Sequence, residues 1–467
     1  MKIEPALIEQ FQAIVGKKHV LSSREDLLCY SFDGTFAEFA PDLVVEPADT
    51  EQVAAVIRLA HEHAVPVIAR GMGSGLAAGT IPFGGGVILP LNRMRSILEI
   101  DQENMTATVQ AGLITLDLQD KVEKLGLFYP PDPSSNKHST IGGNIACNAG
   151  GPRCLKYGVT GDYVMGLTVV LADGRIIRTG GKTIKNVTGY NLIGLFIGSE
   201  GTLGIITEAV LKLVAKPSYV RTAVAAFDQL DDASRTVNAV LLSGIVPATM
   251  ELMDNTAIIC IEEAMHLGLP VEKDAILIIE SDGFDDHVVQ QEIDAIASVC
   301  RQNGASDVQV AKTEAERADL WRARRNVSPS LARRAPNKLG EDISVPRSQI
   351  PEAVRRLKSI SQRYGLPIVI FGHAGDGNLH PNILFDKRDP DQWGRVEKMV
   401  AEIFGAAVAL GGTLSGEHGV GTLKLPYLES DVGAISIEVQ QRIKQALDPK
   451  GILNPGKSLP LLTPTAS

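Results

Sequence analysis

The sequence predicts an α+β protein built from more than one domain, and three observations carry that expectation. The chain has 467 residues, more than one hydrophobic core usually organises. Short β-rich runs separated by glycine-rich connections fill the first half. Strands alternating with helices in the manner of an antiparallel α+β domain fill residues 218–315. Hydrophobic residues make up 44% and charged residues 21%, the balance of an ordinary globular protein. The formal net charge of −10 argues against a nucleic acid held by phosphate contacts, and no basic run with interleaved aromatics appears.

Residues 1–40 read as a helix followed by irregular chain. Over 41–71, "LVV", "ADTEQVAAVIRLAHEH" and "VPVIAR" form a βαβ unit, with Asp49 or Thr50 as the helix cap. It delivers the chain into "RGMGSGLAAGT". Residues 72–215 alternate β-rich runs with long Gly/Pro/Asn connections, of the kind that bind ligands. Asp173-Gly174 marks a hairpin turn in "VVLADGRII". Residues 316–345 are basic and partly helical. "PIVIFGHAGDGNLHPNILF" returns to strand, and the tail holds a helix ending at Asp448-Pro449.

Five scattered cysteines with no CxxC speak for thiols in a reducing cytoplasm and against a zinc ribbon or iron–sulfur cluster. The N-terminal stretch carries acids and lacks the apolar run of a signal peptide, and no apolar run is long enough to span a bilayer.

The chemistry concentrates in "FGHAGDGNLHPN" (371–382) and "SGEHGVG" (415–421). Three of the nine histidines lie there. Gly375 and Gly377 exclude a stable helix, so His373 and His380 are expected on two strand ends joined by a tight turn. Two imidazoles with the carboxylate of Glu417 make an open metal site with one position left for substrate. Zinc suits these donors best, and manganese or iron fits them too. His418 is left over as a candidate base. Upstream, "RGMGSG" offers backbone N–H groups to an anion such as a pyrophosphate, but lacks both the Rossmann spacing and the P-loop Lys-Ser/Thr. "PPDPSSNKHSTIGGNIACNAGG" and "GSEGTLGIIT" offer hydroxyls, amides and bare backbone to a large planar ligand.

Taken in order, "RGMGSG", "PPDPSS…TIGGNIACNAGG", "YGVTGDYV", "GSEGTLGIIT", "GHAGDGNLH", "SGEHGVG" and "LDPKGILNPGK" resemble the FAD-linked D-2-hydroxyacid dehydrogenases of the vanillyl-alcohol-oxidase flavoprotein superfamily, from about residue 40 to 457. The resemblance implies a two-part FAD-binding domain (1–217), an α+β substrate and metal domain with an antiparallel sheet (218–425), and a C-terminal helix and tail (426–467) returning to the FAD domain. It implies that Gly71, Gly73, Ser74 and Gly75 cradle the FAD pyrophosphate with Asn92 nearby. Pro131, Asp132, Thr140, Gly143, Asn144, Asn148 and Gly150 would line the flavin and ribityl chain. Gly158, Thr160, Gly204 and Ile206 would contact the adenine end or the isoalloxazine, and Asn454 would return the tail to the flavin. Ser74 stands where covalent members carry histidine, so the FAD is expected to be non-covalent.

For the substrate, the resemblance implies that Arg324 takes the carboxylate, with Ser328 and Asn382 beside it. Lys338 is the nearest match to a lysine some relatives carry at the position of Gly340. The expected activity is FAD- and metal-dependent oxidation of glycolate or D-lactate to the 2-oxo acid, with hydride going to flavin and a proton to His418. Electrons would pass to a protein partner (an electron-transfer flavoprotein or iron–sulfur subunit) or a quinone chain. The protein is expected in the cytoplasm, peripheral to the membrane through such a complex, with homo-oligomerisation left open. The rival readings are D-2-hydroxyglutarate dehydrogenase and a non-redox transferase of the alkyl-glycerone-phosphate synthase type. "KLGEDISVPRS" looks more like the glycolate or lactate branch than the hydroxyglutarate one.

Overall fold

The computed structural model describes residues 3–461, so the first two and last six residues of the expected domains lie outside the described residues. The chain divides into two compact units. One comprises 1–150, 159–216 and 417–467, the other 151–158 and 217–416. Relative to the sequence boundaries, 151–158 groups with the second unit and 417–425 with the first.

The first unit contains the expected βαβ. Strands Leu43–Val45 and Val67–Arg70 both pair in parallel with Val87–Pro90, and helix Thr50–Glu62 makes the crossover. Asp49 caps that helix, accepting from Gln52 N at 2.8 Å. These strands are almost wholly buried, as parallel strands covered on both faces must be. A second sheet is antiparallel, in the order Ile97–Asp101, Thr106–Gln110, Ile205–Lys212, Val164–Val170, Ile176–Gly180. The C-terminal segment returns to this unit. Val67 N donates to Ile452 O at 2.8 Å and Asn454 N donates to Val67 O at 2.9 Å, so the tail extends the first sheet at its edge.

The second unit is an eight-stranded antiparallel sheet with helices packed on it. Thr249–Asp254, Ile368–His373, Asn378–Phe385 and Asn337–Gly340 lie next to one another in that order. Glu251 sits opposite His373, Phe371 opposite His380, Val369 opposite Asn382, and Lys338 opposite Leu384. Side chains alternate between faces along a strand. This register therefore puts Glu251, Met253, Phe371, His373, His380, Asn382 and Lys338 on one face. Helices Asn255–Met265, Glu314–Arg325 and Val327–Ser330 pack against that face, with Ala257, Ile261, Ala323 and Val327 meeting Met253, Phe371 and Leu384 in a common core. The 151–158 segment belongs here because Lys156 Nζ (2.5 Å) and Tyr157 OH (2.7 Å) both donate to the buried Asp282 carboxylate.

Among the described residues no helix is long and apolar enough to cross a membrane. No disulfide joins the five cysteines.

Asp254 ties this face together. Its carboxylate caps helix Asn255–Met265 through Ala257 N (2.9 Å) and accepts from Ile370 N in the neighbouring strand (2.9 Å). Asp254→Ala removes a cap and strands a buried N–H. It should lower unfolding stability by about 2–4 kcal/mol in chemical denaturation.

Candidate functional site

The polar face of the second unit is organised by a buried carboxylate. Glu251, fully buried, receives His373 Nδ1 on Oε1 at 2.6 Å and Arg324 Nε on Oε2 at 2.5 Å. Burial alone would raise the Glu251 carboxyl, but the Arg324 charge and the His373 contact outweigh it and hold the group below its ordinary range. Arg324 is itself 5% exposed and lies over the Phe371 ring at 5.1 Å. Its Nη2 is buried with no hydrogen-bond partner among the described residues, an orphaned donor that suits an incoming carboxylate.

His373 and His380 meet edge to face, ring centroids 5.1 Å apart, across the hairpin joining their strands. The turn requires glycine at 377: its φ is +88°, and a Cβ there would press into the Val345 carbonyl. Asn378 Nδ2 (2.6 Å) and Ser415 Oγ (2.9 Å) both donate to the buried Asp342, which lies 3.8 Å from His380 Nδ1. Gly416 is packed against the same Asn378 and Asp342 side chains, so Glu417, the next residue, departs from a pinned backbone. A pair of buried imidazoles, one of them backed by a carboxylate on its second nitrogen, has the chemistry of a transition-metal donor set.

The other predicted residues of this unit fall nearby. Lys338 Nζ donates to Ser328 Oγ, and burial pushes the Lys338 ammonium below its ordinary value. Asn382 Nδ2 donates to the His380 carbonyl at 2.9 Å. Gly340 stands opposite Asn382, and a Cβ there would come within 2.7 Å of Asn382 Oδ1.

In the first unit, Gly71, Gly75, Thr140, Gly143, Gly204 and Ile206 line one cavity, part of it open to solvent. His418 lines it too. The wall depends on missing side chains. A Cβ on Gly71 would lie 2.5 Å from Thr140 Oγ1, and one on Gly204 2.5 Å from Val169 Cγ1, whereas one on Gly75 would meet nothing within 4 Å. Gly73, with φ +69°, wraps the loop around the Arg70 guanidinium, which donates to Phe32 O at 2.7 Å.

Several predicted cofactor residues spend their side chains on holding the loops of this unit. Thr140 Oγ1 caps helix Ile141–Cys147 through Gly143 N. Asn144 donates to Thr115 Oγ1 (2.7 Å), Asn148 accepts from Gly161 N (2.8 Å), and Thr160 donates to Ala149 O (2.7 Å). Asn454 Nδ2 bridges Gly79 O and Glu200 O, at 2.9 and 2.7 Å. Asn92 Oδ1 and Asn454 Oδ1 are buried without partners among the described residues. The Pro131 carbonyl receives Gln119 Nε2 at 2.8 Å. Asp132 is half-buried beside Pro131, Ser74 lies in the loop between Gly73 and Gly75, and Gly150 is buried at the end of the unit's first segment. Gly158 groups with the second unit instead.

Sequence reasoning missed Glu251, Asp342 and Glu200. Glu200 lines the cavity and accepts from Val420 N (2.7 Å), Gly421 N (2.8 Å) and Ser458 Oγ (2.7 Å), so it clamps the loop that carries His418. Burial raises its carboxyl despite those donors. Its place inside "GSEGTLG" was the available signal. Glu251 left none beyond an acid within an apolar strand.

Residues 216–458 match a family model described as FAD linked oxidases, C-terminal domain, and residues 41–180 match one described as FAD binding domain. The glycolate oxidase subunit GlcD of Bacillus subtilis (strain 168) is 48% identical over 451 residues, 96% of each chain. A D-lactate dehydrogenase of Anaerostipes hadrus is 36% identical over 470 residues, 98% of each chain. Among solved structures, p-cresol methylhydroxylase with substrate bound superposes with a TM-score of 0.82 at 20% identity, covering 98% of this chain and 96% of that one, a likeness of fold.

The open space beside Gly75 gives a direct check on the cavity. Gly75→Val should leave the far-UV circular dichroism unchanged and weaken FAD binding by about tenfold or more, read as the flavin-to-protein absorbance ratio after gel filtration.

Proposed function

The chain belongs to the FAD linked oxidases, and from that premise we propose that it oxidises a small D-2-hydroxy acid, glycolate or D-lactate, to the 2-oxo acid with the help of a divalent metal ion. The observation that carries this reading is the face holding Arg324, with its unpartnered buried Nη2, beside the imidazoles of His373 and His380. A carboxylate-binding cation next to a metal donor pair suits a substrate whose carboxyl and hydroxyl sit on adjacent carbons. The names of the two sequence relatives support these substrates.

When bound, FAD supplies a two-electron acceptor, and a divalent ion supplies Lewis acidity that lowers the pKa of a hydroxyl group. The glycine walls around Gly71, Gly75, Gly143 and Gly204 would let the flavin approach the backbone closely. His373, His380 and Glu417 would hold the ion, for which zinc is the best match to two imidazoles and a carboxylate. Arg324 donates to the substrate carboxylate, with the Ser328–Lys338 pair and Asn382 beside it. His418 takes the hydroxyl proton on a ring nitrogen as the Cα–H bond breaks and its electron pair leaves with the hydride. Ser74 lacks a nucleophilic nitrogen for a flavin linkage, so the FAD is non-covalent. Electrons leave through a protein acceptor, such as an electron-transfer flavoprotein or iron–sulfur subunit. The word subunit in the name of the Bacillus relative favours such a complex. The protein works in the cytoplasm, at the membrane only through that complex.

Two measurements test this. Anaerobic glycolate or D-lactate should bleach the flavin absorbance, and a spectrum unchanged by a panel of both enantiomers of hydroxy acids would sink the dehydrogenase reading. His380→Ala should lose the metal by elemental analysis and lower turnover by about a hundredfold or more, with FAD still bound. Loss of FAD as well would contradict the separation of the two sites.

A further inference from the structure

We infer that Glu251 is a positioning residue that sets two parts of the site at once: which ring nitrogen His373 presents to the metal, and how Arg324 presents its guanidinium to the substrate carboxylate. The inference rests on the function proposed above. It adds a residue that neither the motifs nor the resemblance singled out.

The carboxylate has two oxygens, and each serves one partner: Oε1 faces His373 Nδ1 at 2.6 Å and Oε2 faces Arg324 Nε at 2.5 Å. An ionised carboxylate accepts and cannot donate. His373 must therefore carry its proton on Nδ1, which leaves the lone pair on Nε2, the nitrogen that would bind metal. This is the carboxylate–histidine–metal arrangement that fixes ring orientation and tautomer. The same contact occupies Arg324 Nε and leaves Nη2 as the buried donor without a partner. The strand register holds Glu251 directly opposite His373 on the same sheet face, which keeps the carboxylate within reach of the ring. The carboxylate neighbour of His380, Asp342, is 3.8 Å away and already receives Asn378 and Ser415.

Glutamine at this position keeps the shape and loses the function. Its amide offers one acceptor and one donor group, so one of the two partners must face an NH₂. With the amide oxygen on Arg324, the NH₂ meets His373 Nδ1 and favours the Nε2–H tautomer, which cannot bind metal. With the oxygen on His373, the NH₂ opposes the Arg324 N–H. Aspartate keeps both acceptors on a shorter arm.

The test uses FAD-loaded Glu251→Gln and Glu251→Asp beside the unaltered holoenzyme. It compares zinc per flavin after dialysis against buffered zinc, melting temperature, and KM and kcat for whichever of glycolate and D-lactate bleaches the flavin. Glu251→Gln should keep its FAD and stay folded at the assay temperature, although its melting temperature falls because the buried Arg324 charge loses its carboxylate. It should lose about tenfold to a hundredfold in zinc affinity and raise KM about tenfold, while Glu251→Asp recovers part of both. Zinc binding and KM unchanged in Glu251→Gln would overturn the inference, as would losses that merely track lower melting temperature and flavin content in both variants. If the unaltered holoenzyme itself holds no zinc and no hydroxy acid bleaches it, the proposed function fails first and takes this inference with it.

Discussion

The second unit depends on one buried carboxylate shared between a guanidinium and an imidazole. Glu251, Arg324 and His373 are all nearly inaccessible to water. Burying charges carries a desolvation cost that their attraction offsets only when geometry and hydrogen bonding are good. A well-packed apolar trio of the same volume would often be as stable. The arrangement is therefore better understood as positional. It holds the Arg324 guanidinium and the His373 imidazole in fixed relation against one sheet face. Breaking it by removing one member would leave a buried charge uncompensated, so the three residues form a unit.

That unit is only as good as the strand register beneath it. Glu251 and His373 lie 122 residues apart in the chain and come together because two antiparallel strands pair with those residues opposite. A slip of one position would turn Glu251 to the other face, together with Met253 and its core contacts. The hydrophobic neighbours Met253, Phe371 and Val369 thus secure the polar site. In the first unit the logic is similar with different chemistry. Amides and hydroxyls such as Asn144, Asn148, Thr160 and Asn454 hold loop backbones in place, and glycines leave the space between them open.

The α+β class and the vanillyl-alcohol-oxidase type of fold were legible in the sequence, because strand and helix periodicities alternate clearly and the glycine motifs occur in a specific order. The histidine hairpin was legible because Gly375 and Gly377 exclude a helix. Glu251 was not. In "ATMELMD" an acid among apolar residues reads as the solvent-facing position of a strand, and acids are rarely buried. Only the distant partners Arg324 and His373 make it an interior residue. The grouping of 151–158 with the second unit was hidden for the same reason, since its ties to Asp282 lie about 125 residues away. The motif residues around Asn144 and Asn454 were visible, but their hydrogen bonds run to the protein's own loops, and no local pattern encodes that.

The central claim is that a metal held by the histidine hairpin assists oxidation of a hydroxy acid by FAD. The most direct test is the anaerobic single-turnover rate of flavin reduction by glycolate or D-lactate before and after chelation of divalent metal from the holoenzyme, followed by return of zinc. The account predicts a fall of about a hundredfold or more with FAD still bound, and recovery when zinc is restored. An undiminished rate in metal-free, FAD-loaded protein would contradict it.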